Sequence, residues 1–163
     1  MIKSLPNRDL DFWKEELKSA VNTFAPHLSI YDLSIEPGTV FEIKKNRGEL
    51  KLPNDEISWN IDKFTNSFLK EHGFARYEIS NYALPGHVSR HNRVYWSGSG
   101  WWAFGMGATS APWGKRFARP RSTKDYLKWI KAQEKEGLDI SLLSKNYRQI
   151  DLDEQLIVGL RRR

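Results

Sequence analysis

Apolar residues recur at helical spacing in three long stretches of the 163-residue chain. Leu10, Trp13, Leu17, Val21 and Phe24 fall three or four apart and Pro26 follows, which predicts a helix from about Asp9 to Phe24. Ile57, Ile61, Phe64 and Phe68 form a second stripe. Asn54 or Asp55 stands where a cap is needed after Pro53, and Gly73 stands where the helix should end. A third helix begins at Ser122, with Asp125 three residues on as a variant capping box. Tyr126, Leu127 and Ile130 line it and Gly137 closes it. A shorter stripe, Leu152, Leu156, Ile157 and Leu160, runs into three arginines.

Between the helices the pattern favours strands. HLSIYDLSI, residues 27–35, is rich in β-formers and bounded by Pro26 and Pro37; ARYEISNY, 75–82, follows the second helix; MIKSLP opens the chain with a strand-like run. Helices alternating with strands predict an α/β protein with parallel strands. EPGT, 36–39, reads as a turn and RGELKLP, 47–53, as a loop. LPGHVSRHNRVYWSGSGWW, 84–102, has no period and predicts a long loop, of the kind that often carries function. AFGMGATSA reads as a short glycine-rich strand open to close approach, and WGKRFARPRS as another strand ending at Pro120.

Composition narrows the class. Apolar residues make up 39% and aromatics 13%, with seven tryptophans, enough for a sizeable core. The +6 net charge comes entirely from residues 110–163, which hold 13 Lys/Arg against 7 Asp/Glu, while residues 1–109 hold 13 of each. A basic third can meet nucleic acid or an anionic membrane surface. Asp125, Glu134 and Glu136 interleave with its lysines and no nucleic-acid module is recognisable, so a solvated helix face is the expectation, with no nucleic-acid partner and membrane contact left open. No apolar run reaches the roughly 20 residues of a membrane span, and MIKSLPNRDLDFW lacks a signal-peptide pattern, which points to a soluble cytoplasmic protein. There is no cysteine, so these residues offer no disulfide, thiolate nucleophile or cysteine-held iron–sulfur cluster.

Candidate chemistry gathers in RHNRVYW, 90–96. Imidazole is a common metal ligand, and His87 and His91 stand four apart, although Pro85-Gly86 argues against a helix there. Tyr95, Trp96, Trp101 and Trp102 can wall a flat apolar ligand, with Arg90 or Arg93 pairing with its carboxylates. The alternative is a hydrogen-bonded loop histidine over a local aromatic core. Glu36 and Glu78 stand near strand ends, where α/β folds place ligands, though Glu78 is also positioned simply to alternate outward. GMGATS falls short of a GxGxxG fingerprint, and the chain carries no GxSxG elbow or Walker loop.

SLPN at 4–7, LSIYDLSIEPGTVF at 28–41, RGEL at 47–50, YEISNYALPG at 77–86, RHNRVYW at 90–96 and FGMGATS at 104–110 together resemble the radical S-adenosylmethionine family of oxygen-independent coproporphyrinogen III oxidases and their relatives. The intact H-N-x-x-Y-W from His91 to Trp96 resembles the HemW-type heme chaperone branch. The six motifs cover nearly the whole chain. The resemblance implies an α/β fold: the C-terminal part of an incomplete, TIM-like radical-SAM barrel plus the extension after it. It places the last barrel strands and helices in 1–82, the family extension in 83–150, and the start of a winged-helix-like domain in 151–163.

The family's C-x-x-x-C-x-x-C, which holds the [4Fe–4S] cluster that cleaves S-adenosylmethionine, has no counterpart among these residues. The family's strand reads D-L-I-x-G-L-P where this chain has Met1-Ile2-Lys3-Ser4-Leu5-Pro6. The resemblance therefore implies a fragment of a heme chaperone that binds heme and hands it to a recipient hemoprotein, with a complementary N-terminal half as a second partner. On its own the chain is expected to do no radical chemistry. Carried over, His91, Asn92, Tyr95 and Trp96 match the heme-linked motif, with His91 as the candidate iron ligand. Asn92, Arg93 and the stretch around Ala111 fall where the oxidase branch contacts S-adenosylmethionine. The rival expectations are a fragment of the oxidase type and an inactive remnant.

Overall fold

The computed structural model describes residues 1–112, 115–136 and 148–161, in two compact units, Met1–Val88 and Ser89–Arg163.

In the first unit, helix α1 (Leu10–Val21) starts where Asp9 accepts the Phe12 N–H at 2.9 Å, as its pattern predicts. Helix α3 (Asp55–Glu71) is capped by Asn54, which accepts the Ile57 N–H at 2.8 Å. Trp13 and Leu17 of α1 pack with Ile61 and Leu69 of α3, and with Leu28, Ile30, Phe74 and Tyr82, to make the core. The polar atoms inside it are satisfied: Trp13 Nε1 donates to Thr65 Oγ1 at 2.8 Å, and that hydroxyl donates to the Ile61 carbonyl at 2.6 Å. Phe24 does not join the stripe. It lies past the end of α1 in a left-handed conformation and is 92% exposed. Residues 40–46, unassigned from the pattern, form helix α2 (Val40–Asn46), capped by the Thr39 hydroxyl.

The strands correct the parallel expectation in one respect. Residues 27–35 divide into β2 (His27–Ser29) and β3 (Tyr31–Asp32). The second pairs in parallel with β1 (Ile2–Lys3), in the register Ile2↔Tyr31 and Lys3↔Asp32. The 75–82 stretch is a hairpin rather than one strand. β4 (Ala75–Arg76) turns back into β5 (Asn81–Ala83), and the three-stranded sheet runs β2-β5-β4, antiparallel at both pairings. Consequently β2 and β4 do point the same way, but β5 is inserted between them.

In the second unit, helix α4 (Arg90–Trp96) is followed by β6 (Thr109–Ser110), β7 (Lys115–Ala118), helix α5 (Thr123–Glu136), β8 (Arg148–Gln149) and helix α6 (Leu152–Gly159). The sheet order is β6-β7-β8, all antiparallel. Ser122 caps α5, its hydroxyl accepting the Asp125 N–H at 3.1 Å; the Asp125 carboxylate accepts that hydroxyl at 2.6 Å rather than the Ser122 backbone N–H, so half of the capping box forms. Leu127 of the expected stripe is 53% exposed, and Gly137, the expected stop, lies outside the described residues. Among the described residues no helix is long and apolar enough to cross a membrane.

Candidate functional site: the α4 aromatic ridge

RHNRVYW is a helix, contrary to the loop expected there. Ser89 accepts the Asn92 N–H at 3.2 Å as N-cap. At the other end Gly98 takes a φ of 69°, its N–H donates to the Tyr95 carbonyl, and the Ser99 N–H donates to that of Val94. These two bonds make a Schellman stop. The signal lay in the sequence, as Ser89 before the motif and Gly98 after it, and Pro85-Gly86 ends short of it. His87 is outside the helix, so it does not share a helical face with His91.

The helix aligns three rings. His91 and Tyr95, one turn apart, meet edge to face with centroids at 4.9 Å. Tyr95 meets Trp101 in the same way at 4.8 Å. Arg116 of β7 lies over the Trp101 ring at 5.6 Å. Trp101 is fixed by backbone bonds to Ala111 in both directions, at 3.2 and 2.9 Å, and by Nε1 donating to the Thr109 carbonyl at 3.0 Å. Gly100 permits that approach: a Cβ there would stand 2.6 Å from the Pro112 carbonyl oxygen.

A cavity of about 360 Å³ opens beside the ridge, lined by Tyr95, Trp96, Trp101, Arg116, Gln155 and Val158 among others. Its size is at the lower end of small-ligand sites, and among the described residues its walls combine aromatic faces with the Arg116 guanidinium. The Trp96 ring carries Arg161 at 4.6 Å, and its Nε1 is buried with no acceptor among the described residues. His91 does not line the cavity. It connects to it through Tyr95, and its exposed ring has no hydrogen bond among the described residues.

The remaining candidates separate. Asn92 is half-buried on α4, and Arg93 and Arg90 are exposed. The cation placed at the cavity is Arg116, which sequence reasoning missed because a cross-strand position has no local signature. Ala111 is 1% exposed, with its backbone taken up by Trp101. Trp102 turns to Phe117, with centroids at 6.0 Å. Glu36 is exposed, its carbonyl accepting the Thr39 hydroxyl at 2.7 Å. Glu78 does not alternate outward. It is 1% exposed and accepts the Ser80 N–H at 2.7 Å and the Asn81 amide at 2.5 Å, which closes the β4–β5 turn. Among the described residues no group of three or more His, Asp and Glu is arranged to hold a metal.

Three titratable groups of the first unit depart from ordinary values. The exposed Asp11 carboxyl is lowered by its hydrogen bond from the Lys14 ammonium at 2.7 Å. Burial lowers the His27 imidazole, with Glu78 acting in the opposite sense. Burial raises the Asp62 carboxyl, but the Lys3 ammonium at 2.5 Å, Arg76 and Asn66 outweigh it and hold the group below the usual aspartate value.

Comparison with known proteins finds relatives along nearly the whole chain. No family model matches the chain. The heme chaperone HemW of Synechocystis is 38% identical over 99% of the chain, and that of Bacillus subtilis is 31% identical over 97%. Its homologues are HemW heme chaperones. The mitochondrial radical S-adenosyl methionine domain-containing protein 1 of Danio rerio is also similar, at 32% identity over 97% of the chain. The chain spans 39% and 41% of the length of the two HemW proteins. The fold matches part of coproporphyrinogen III oxidase (HemN) from Escherichia coli, a radical SAM enzyme, with a TM-score of 0.58 and 17% identity, over 81% of this chain and 33% of that one. The HemW homologues thus agree with the branch that H-N-x-x-Y-W resembles, and the shared architecture is one of mixed helices and strands.

Proposed function

We propose that this chain is the heme-facing part of a HemW-type heme chaperone, holding heme against α4 and passing it to a recipient hemoprotein. The observation that carries the reading is the ring sequence His91–Tyr95–Trp101, leading from an exposed imidazole to a cavity with Arg116 in its wall. These residues suit heme. Imidazole is an iron ligand, aromatic faces pack on a porphyrin, and a guanidinium pairs with propionates. In this reading His91 is the iron ligand, Tyr95 and Trp96 line the ring, and Asn92 and Arg93 face a second ligand, S-adenosylmethionine, together with the backbone near Ala111.

The [4Fe–4S] cluster does not fit these residues, because the chain supplies no thiolate. Cluster chemistry accordingly belongs to a cysteine-bearing segment beyond them. The first unit then corresponds to the closing strands and helices of a partial barrel, residues 83–150 to the family extension, and 151–163 to the beginning of a further domain. Incubating this chain alone with S-adenosylmethionine and a reductant should yield no 5′-deoxyadenosine.

The test of heme binding is a titration of the full chain followed by absorbance, beside His91→Ala. Saturable, near-stoichiometric binding with a Soret shift lost in the variant is expected. Weak, unsaturable binding equal in both proteins would overturn the reading.

A further inference from the structure

Arg119 follows β7 and is 6% exposed. Its guanidinium carbon lies 5.3 Å from the centroid of Phe104 and 5.4 Å from that of Trp129. Among the described residues no acceptor bonds its side chain, and Nη1 is buried without a partner. Buried charges are normally paired, because desolvation costs several kcal/mol per ion. The cation–π contacts, each worth roughly 0.5–2 kcal/mol, offset only part of that.

The surroundings define what is missing. Phe104 and Trp129 bring ring faces near the guanidinium but no acceptor oxygen, so what is missing is an acceptor. Arginine bonds carboxylate and phosphate oxygens in the plane of its guanidinium fork. The turn over it is held in place: Arg119 N–H donates to the Ala108 carbonyl at 2.9 Å, Gly107 N–H to that of Pro120 at 3.0 Å, and Gly105 N–H to the Tyr126 hydroxyl at 3.2 Å. Its outer side chains are loosely covered. Phe104 is 84% exposed and Met106 is 52% exposed, with left-handed glycines at 105 and 107.

We propose that Arg119 anchors an oxyanion site. A carboxylate or phosphate group enters beside the exposed Phe104 ring and bonds Nη1 in the guanidinium plane. None of these three residues lines the cavity beside α4, and the proposal does not depend on heme binding.

The test titrates the full chain with inorganic phosphate and, separately, with malonate, at constant ionic strength, following the Arg119 side-chain nitrogen signals and the thermal midpoint. Saturable shifts with at least one anion are expected, and the anion that gives them tells a phosphate ligand from a carboxylate one. Arg119→Met should abolish the response, and Arg119→Lys, which keeps the charge but loses the planar fork, should weaken it at least tenfold, following ~1.4 kcal/mol per factor of ten. A parent chain that responds to neither anion, or an Arg119→Met response equal to the parent's, would overturn the proposal. If Arg119→Met does not fold, an Arg119→Lys affinity equal to the parent's overturns it.

Discussion

The ring of His91 meets the ring of Tyr95 edge to face, with centroids 4.9 Å apart. Tyr95 is thereby the link between an exposed imidazole and the Trp101 wall of the cavity. Edge-to-face pairs contribute about 0.5–1.5 kcal/mol each. Tyr95→Leu should lower the stability of the second unit by about 1–2 kcal/mol in urea unfolding and weaken heme binding in the same preparation. His91→Ala should weaken heme binding at a smaller stability cost than Tyr95→Leu, because it removes one edge-to-face pair where Tyr95→Leu removes two. A Tyr95→Leu protein as stable as the parent would show that the ring ladder holds nothing in place.

Acid should loosen the first unit through Asp62. Its carboxyl is held below the usual aspartate value in the folded state, so folding favours the deprotonated form. The stabilisation is present above that value and is lost as the pH falls below it toward the folded pKa. Thermal midpoints measured from pH 6 down to pH 2.5 should fall more steeply for the parent than for Asp62→Asn. Parallel curves would remove the Lys3–Asp62 pair from the account.

Ser4, a residue with a Cβ, adopts a φ of 59°. A left-handed conformation costs a residue with a Cβ about 1–2 kcal/mol, and glycine avoids this at an entropic cost of about 0.5–1 kcal/mol. The Ser4 hydroxyl is also buried without a partner. Ser4→Gly should therefore raise stability by about 0.5–1 kcal/mol, seen as a thermal midpoint a few degrees higher. A lower midpoint would mean that the hydroxyl matters more than the backbone.

Glu78 should behave as a structural residue. Its carboxylate takes two bonds in a site with 1% exposure, and bonds to a charged group contribute about 1.5–3 kcal/mol. Glu78→Ala should cost the first unit about 2–3 kcal/mol in denaturant unfolding, with heme binding at α4 retained once the protein is folded. Loss of heme binding in a variant of undiminished stability would reassign Glu78 to the site.

What the sequence by itself determined was local. Asp9, Asn54 and Ser122 mark their helix starts because capping is a bond to an amide two or three residues away, and Trp13, Leu17 and Ile61 mark the core because burial follows the helical period. The same logic applied to Thr39 and Glu42, and to Ser89 and Gly98, but the helices they flank have only seven residues and no apolar stripe to announce them. The absence of cysteine likewise needed no coordinates. Tertiary structure alone decided the rest. The 75–82 run folds back because the Glu78 carboxylate gathers the Ser80 and Asn81 donors into a turn, and that places β5 between two strands of like direction. Arg116 reaches Trp101, and Arg119 reaches Phe104 and Trp129, through contacts between different elements of the second unit. Such contacts depend on register and on which face of a strand is covered, and neither is written in the spacing of neighbouring residues.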